Sequence, residues 1–193
     1  MSNSFQICRA VRDSFILNIR RLFSGDSKYP YVETITGEYA WDSTKLIISD
    51  TIPQEHAFFP AIVVDAVSGP ETRYLGPDDL QEDFEDGETQ SDQIFASFDL
   101  TVNIKIYTID DTIARDEIAD RIYDHLKTTT DDLAAAGIEI KRATFTPDAG
   151  REFRDNRWYI TSQLTFDVYK EWSEDIGVGD IISAIQVELT LQP

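Results

Sequence analysis

The sequence predicts an α+β fold in which an antiparallel or mixed β-sheet carries two main helices on one face. Two segments repeat apolar residues at three- and four-residue spacing, as helices with one buried face do. Two long segments alternate apolar and polar residues, as strands with one face toward a core do. A connection of about ten residues between the strands expected at 138–146 and 157–171 favours antiparallel pairing of these two strands.

The first predicted helix covers residues 4–23 and ends in turn residues at 24–26. Its apolar stripe consists of Cys8, Val11, Phe15, Ile19 and Leu22. Short strands are expected after it at residues 32–35, 46–49 and 61–67, with a return strand at 72–75.

The clearest strand pattern lies at residues 94–108, and Asp110 or Asp111 then caps a second helix over 112–127. The inward stripe of that helix is Ala114, Ile118, Ile122 and Leu126. The remaining expected elements are a helical turn at 133–136, a strand at 138–146, a loop at 147–156, a long strand at 157–171 and a terminal strand around Ile185, Val187 and Leu189. Residues 1–193 are expected to form a single domain.

The charge of the chain is strongly acidic and unevenly distributed. It has 17 basic and 36 acidic residues among 193, a formal net charge of −19. Residues 1–30 carry +3, residues 31–99 carry −14 and residues 100–193 carry −8. Because phosphate contacts need a basic surface, this balance argues against a free nucleic-acid binder. It favours a basic partner, or a surface to which DNA does not adhere.

No segment has the run of about 18 apolar residues that a membrane helix needs, so we expect no membrane contact. The N-terminal residues are charged where a signal peptide would be apolar, so no export is expected. Cys8 is the only cysteine, and we expect a small buried core residue without a disulfide.

Catalytic and metal-binding motifs are missing from the sequence. There is no Gly-rich phosphate loop, GxSxG elbow or HExxH helix, and two His with one Cys do not make the usual zinc site. We therefore expect neither enzymatic activity nor a cofactor.

Residues 78–92 form the densest acidic run, with eight carboxylates and no cation. Such a run repels itself, so we expect an exposed loop or an interface. Its spacing does not fit an EF-hand calcium loop. The candidate interface carboxylates are Asp78, Asp79, Glu82, Asp83, Glu85, Asp86 and Glu88.

Arg151, Arg154 and Arg157 cluster around the expected 147–156 loop. They are either a mixed, solvated hairpin end or an interface patch that meets the acidic loop of a neighbouring copy. Contact between two different patches builds rings. The terminal strand likewise has two interpretations: it pairs within its own sheet, or it adds to the sheet edge of a neighbour.

The order of these elements resembles that of the phage tail terminator, or tail completion, family of neck proteins. The resemblance covers residues 5–171 and rests on a pattern of elements without a diagnostic motif. The segments that carry it are ICRAVRDSFILNIRRLF, FFPAIVVDAV, FASFDLTVNIKIYT, IARDEIADRIYDHL, IEIKRATFT and WYITSQLTFDVYKEW.

The resemblance implies a virion protein, assembled in the host cytoplasm, that forms a homo-oligomeric ring of about six subunits. Such a ring caps the tail tube, ends its polymerisation and offers a docking surface to the head-side connector, with the sheath protein as a further possible partner. An acidic lumen would let DNA pass without specific binding. The alternatives are another head–tail connector or sheath adaptor, and an acidic DNA mimic that inhibits a DNA-binding protein.

Overall fold

The computed structural model describes residues 4–31, 46–51, 60–75, 92–109, 111–128, 130–154 and 157–176. Their elements, in chain order, are α1 (Ser4–Leu22), β1 (Ile47–Ser49), β2 (Ala61–Leu75), β3 (Asp92–Thr108), α2 (Thr112–Thr128), α3 (Asp131–Ala135), β4 (Ile138–Arg154) and β5 (Arg157–Ile176). The strand expected at 32–35 and the terminal strand lie outside these ranges.

The strands form one five-stranded sheet in the order β1-β2-β3-β5-β4. β1 runs parallel to β2, and each of the other neighbouring pairs is antiparallel. The predicted α+β fold with a mixed sheet is therefore confirmed. β3 and β5 are the central strands, and they pair along the whole length of β3 from Asp92 to Thr108.

Both long helices cover the same face of the sheet and bury one apolar core against it. The rings of Phe15 on α1 and Phe166 on β5 have centroids 5.7 Å apart in the middle of this core. From β3 the core receives the alternating residues Phe98, Leu100, Val102, Ile104 and Ile106. These are the residues that period-two alternation predicts for a half-buried strand.

The buried line of α1 follows four-residue spacing through Ile7, Val11, Phe15 and Ile19 and continues to Phe23, directly after the helix. Val11, Phe15 and Ile19 belong to both the expected stripe and the observed buried line, whereas Cys8 and Leu22 belong only to the expected stripe. Cys8 and Leu22 pack beside this line and are only half-buried. Gly25, with a φ of 75°, follows the helix in the turn that the sequence indicates.

The predicted start and inward stripe of α2 are confirmed. The backbone N–H of Ala114 donates to the Asp111 side chain at 2.8 Å, as an N-cap requires. The four expected apolar residues of α2 are buried, and none of the described helices is long and apolar enough to cross a membrane.

The expected return strand at 72–75 is wrong, because β2 continues in one direction to Leu75 along β3. Its register shifts between Ser68 and Glu71, where Gly69 and Pro70 form a bulge. β1 pairs only with Ala61–Val63, so within the described chain the far side of β2 is an edge from there on. A proline that lacks its N–H is tolerated on such an edge.

The expected loop at 147–156 is also wrong for residues 147–154, and residues 155–156 lie outside the described parts of the chain. β4 runs through Pro147 to Arg154, which pairs directly with Arg157 at the start of β5. Two register shifts, at 140–142 and 146–150, interrupt β4. β4 is the last strand in the described sheet, so Pro147 occupies an edge and a bulge, as Pro70 does.

The segment after α1 is tied to α2 through Asp26. This carboxylate accepts the backbone N–H groups of Lys28 and Tyr29, each at 2.8 Å, and pairs with Arg121. The hydrogen bond from Arg121 is the main reason why the pKa of Asp26 falls from 3.8 to about 2, and the Tyr29 N–H lowers it further.

Replacing Gly69 by Ala is expected to lower the free energy of unfolding by about 1–3 kcal/mol, the range for overpacking. A Cβ at this position would lie 2.6 Å from the backbone carbonyl oxygen of Asp99 on the central strand β3. Urea unfolding measures the effect. Ser68→Ala, at the exposed neighbouring position, is the matched control. Equal stabilities of the two variants would contradict this close approach.

Asp26→Asn is expected to cost about 1–3 kcal/mol at neutral pH, because it removes hydrogen bonds to a charged group. The pKa of Asp26 is depressed in the folded state, so its contribution is complete above pH 3.8 and is lost as the pH falls toward about 2. The difference between wild type and variant should shrink over that interval in urea unfolding. Asp120→Asn, at an exposed position of α2, is the control. A deficit that is the same at pH 7 and pH 2.5 would rule out this linkage.

Candidate protein-interaction surface

The β4–β5 hairpin projects past the end of the central strand β3. The last residue of β3, Thr108, pairs with Ile160, so the first residues of β5 pair with β4 alone. We call Arg151–Arg154 together with Arg157–Tyr159 the hairpin tip. On one face of this tip Tyr159 is buried against Ile47, Ala61 and Tyr107, whereas Phe153 and Trp158 on the other face are exposed.

An exposed aromatic pair marks the hairpin tip. Phe153 and Trp158 are cross-strand partners with ring centroids 5.1 Å apart and planes inclined at 51°. Their exposed fractions are 56% and 55%. Two adjacent aromatic side chains held in water are typical of a contact surface for another protein.

Several polar contacts fix the tip to the rest of the sheet. Lys105 on β3 donates to Glu152 at 2.5 Å, and this hydrogen bond is the main cause of the raised pKa of Lys105. The hydroxyl of Thr161 donates to the carbonyl of Gly150 at 3.1 Å. The first bond joins the hairpin to β3, and the second ties β4 to β5 at the base of the tip.

Arg115 on α2 secures the bulge from which the tip extends. Its side chain is 7% exposed and lies 3.6 Å from Asp148 in the β4 bulge. It also donates to Asp116 at 2.8 Å. A buried cation with two carboxylate neighbours links the start of α2 to the base of the tip.

The structure places only part of the predicted arginine cluster. Arg151 is exposed on the hairpin tip, and Arg154 and Arg157 face each other in the register of β4 and β5. The side chains of Arg154 and Arg157, the seven candidate carboxylates of 78–92 and the terminal residues Ile185, Val187 and Leu189 lie outside the described parts of the chain.

A pocket of about 540 Å³ lies at the opposite end of β4. Leu133 and Ala134 of α3 form one wall, and Ile138 and Ile140 of β4 form another. Glu139, Tyr169 and Glu171 also line it. The sequence does not indicate this pocket, because it forms between α3, β4 and the distant end of β5. In the local sequence, only the apolar residues and Gly137 around the short helix α3 could have indicated a pocket here.

Hydrogen bonds hold the walls of this pocket in place. Lys170 donates to the backbone carbonyl of Ala136 at 2.6 Å and so joins β5 to the end of α3. Burial lowers the pKa of Lys170. The Tyr169 hydroxyl donates to Glu171 at 2.9 Å, which fixes one of the two carboxylates at the pocket.

The sheet face away from the helices is polar in its middle. Gln163 donates to Asn103 at 3.1 Å, and Thr165 donates to the same oxygen at 3.1 Å. No cluster of three or more His, Cys, Asp or Glu in the described ranges is placed to hold a metal ion. The described surface has two candidate sites for contact with another protein, the aromatic hairpin tip and the pocket beside α3.

No protein-family model and no curated protein sequence matches this chain. The candidate surface therefore rests on its own geometry.

Trp158→Ala is expected to lower the free energy of unfolding less than a core substitution does, since the aromatic pair contributes about 0.5–1.5 kcal/mol in addition to burial of the covered part of the ring. The ring is mostly exposed and loses chiefly its contact with Phe153. Phe166→Ala, in the core, is expected to cost about 3–5 kcal/mol. Urea unfolding compares the two variants. If both cost the same, the tip is part of the core and not a free surface.

Proposed function

We propose that this protein is a structural subunit of a bacteriophage neck. In this role it forms a ring that caps the tail tube, ends tube polymerisation and provides the docking surface for the head-side connector. Its partners are further copies of itself, the tail tube protein, the connector and, on the outside, the sheath protein. The proposed role takes place in the virion after assembly in the host cytoplasm, and it needs no catalysis and no cofactor.

The observation that carries the proposal is the hairpin tip with its exposed aromatic pair. A protein that works through assembly needs apolar groups held ready outside its own core, and Phe153 and Trp158 are such groups. The element order quoted for the family resemblance, from an N-terminal helix to paired long strands, is also the order of α1, β2, β3, α2, β4 and β5.

The net charge of −19 supports the same proposal. A ring of such subunits has a strongly negative potential, which repels a DNA phosphate backbone. DNA would then pass through the lumen without specific binding. A DNA mimic would share the acidity, and binding experiments separate the two roles.

The test is to measure the mass of the purified protein by light scattering and native mass spectrometry, alone and after addition of polymerised tail tubes. We expect rings of about six copies, or monomers that become rings on tube ends, together with arrest of tube growth. Unpolymerised tail tube protein serves as the control.

A ring found elsewhere in the particle by negative-stain imaging would favour a connector or sheath adaptor. A strict monomer that ignores tubes contradicts the proposal. If that monomer also competes with duplex DNA for a basic DNA-binding protein, the DNA-mimic role takes its place.

A further inference from the structure

The hairpin tip and the α3–β4 pocket cannot meet within one copy of the chain. Trp158 of the tip and Tyr169 of the pocket lie on the same strand, β5, and are eleven residues apart. At about 3.3 Å per residue this separation is roughly 36 Å. Because one rigid sheet carries both the tip and the pocket, a hairpin tip that fills the pocket has to belong to another copy of the chain.

The tip and the pocket match in apolar character. The tip presents two aromatic rings, and the walls of the pocket include Leu133, Ile138 and Ile140. A volume of about 540 Å³ lies within the range of natural binding pockets, which is about 300–1,000 Å³. Aromatic anchors seated in preformed pockets supply most of the energy of many protein interfaces.

The hairpin tip and the pocket also carry opposite charges. Arg151 is an exposed cation on the tip, with no ion pair to any described residue. Glu139 and Glu171 are exposed carboxylates at the pocket, again without a described cationic partner.

The nearest cations at the pocket end are held by other groups. Lys141 pairs with Asp99 at 3.3 Å and lies over the Tyr169 ring, and Lys170 donates to the carbonyl of Ala136. The two pocket carboxylates are therefore left to an incoming cation.

The outer edge of β4 is poorly suited to the alternative of sheet-to-sheet pairing. Two register shifts and Pro147 interrupt its ladder of backbone groups. Such interruptions are how natural edge strands prevent pairing with another sheet. The ends of β4, not its edge, are therefore the better contact sites.

We propose that the hairpin tip of one copy inserts Phe153 and Trp158 into the α3–β4 pocket of a second copy, where Arg151 meets Glu139 and Glu171. This inference rests on the self-assembly in the proposed function and identifies its contact. The two surfaces differ, so the contact is head-to-tail. Repetition of such a contact produces a closed ring or a filament and not a two-fold dimer.

Charge reversal tests this contact in the full-length protein. The association constant is measured by sedimentation and light scattering for Arg151→Glu, for Glu139→Arg and for the chain that carries both changes. Each single variant is expected to associate at least about tenfold more weakly, as loss of an interface anchor does. The double variant should regain part of the lost affinity, because the carboxylate then at position 151 faces a cation at position 139, while Glu171 still repels it.

Matched controls use exposed groups that belong neither to the hairpin tip nor to the lining of the pocket. Arg9→Glu makes the same change of charge at a side chain of α1 that is 68% exposed, and it should leave association unchanged. Trp158→Ala is compared with Leu17→Ala on the outer face of α1, and only the Trp158 change should weaken association.

The outcomes separate this contact from the proposed function. Assembly that survives Arg151→Glu and Trp158→Ala overturns the contact and leaves the neck role in place. A double variant no better than Arg151→Glu alone also overturns it. Self-association that follows the predicted pattern without binding to tail tubes supports the contact and contradicts the neck role. A wild-type protein that remains monomeric on tubes overturns both.

Discussion

The pairing of β3 with β5 is the constraint on which the rest of this structure depends. Every residue from Asp92 to Thr108 is paired with β5, and the same two strands bury their apolar side chains beneath α1 and α2. β2 and β4 attach to the outer sides of this ladder. The ladder is long, so one continuous sheet holds the hairpin tip and the α3–β4 pocket at a fixed separation.

Features that follow from local periodicity were predictable from the sequence. Four-residue spacing identified α1 and α2, and period-two alternation identified β3 and β5, because burial of one face imposes those periods. The role of a proline does not follow from local sequence. Pro70 and Pro147 indicated strand ends, yet each lies inside a strand, in a bulge on an edge. Whether a strand is an edge depends on the strand order, which no local pattern contains.

The candidate site was only partly predictable for the same reason. The sequence indicated an arginine cluster at a hairpin end, and Arg151 is exposed there. Alternation along residues 157–171 places Trp158 on the same face as Ile160 and Leu164. It contains no sign that β3 ends opposite Ile160 and leaves Trp158 uncovered. The pocket depends on register in a similar way, because β5 brings Tyr169 opposite Glu139 on β4.

The central claim is that copies of this protein meet through the two ends of the β4–β5 hairpin. Amide hydrogen exchange, compared between dilute protein and assembled protein, tests it most directly. We expect protection to increase together in residues 130–140 and 151–160 on assembly, while α1 is unchanged. Protection that increases on the outer face of α1 or on the polar sheet face, with both ends of the hairpin unchanged, would contradict it.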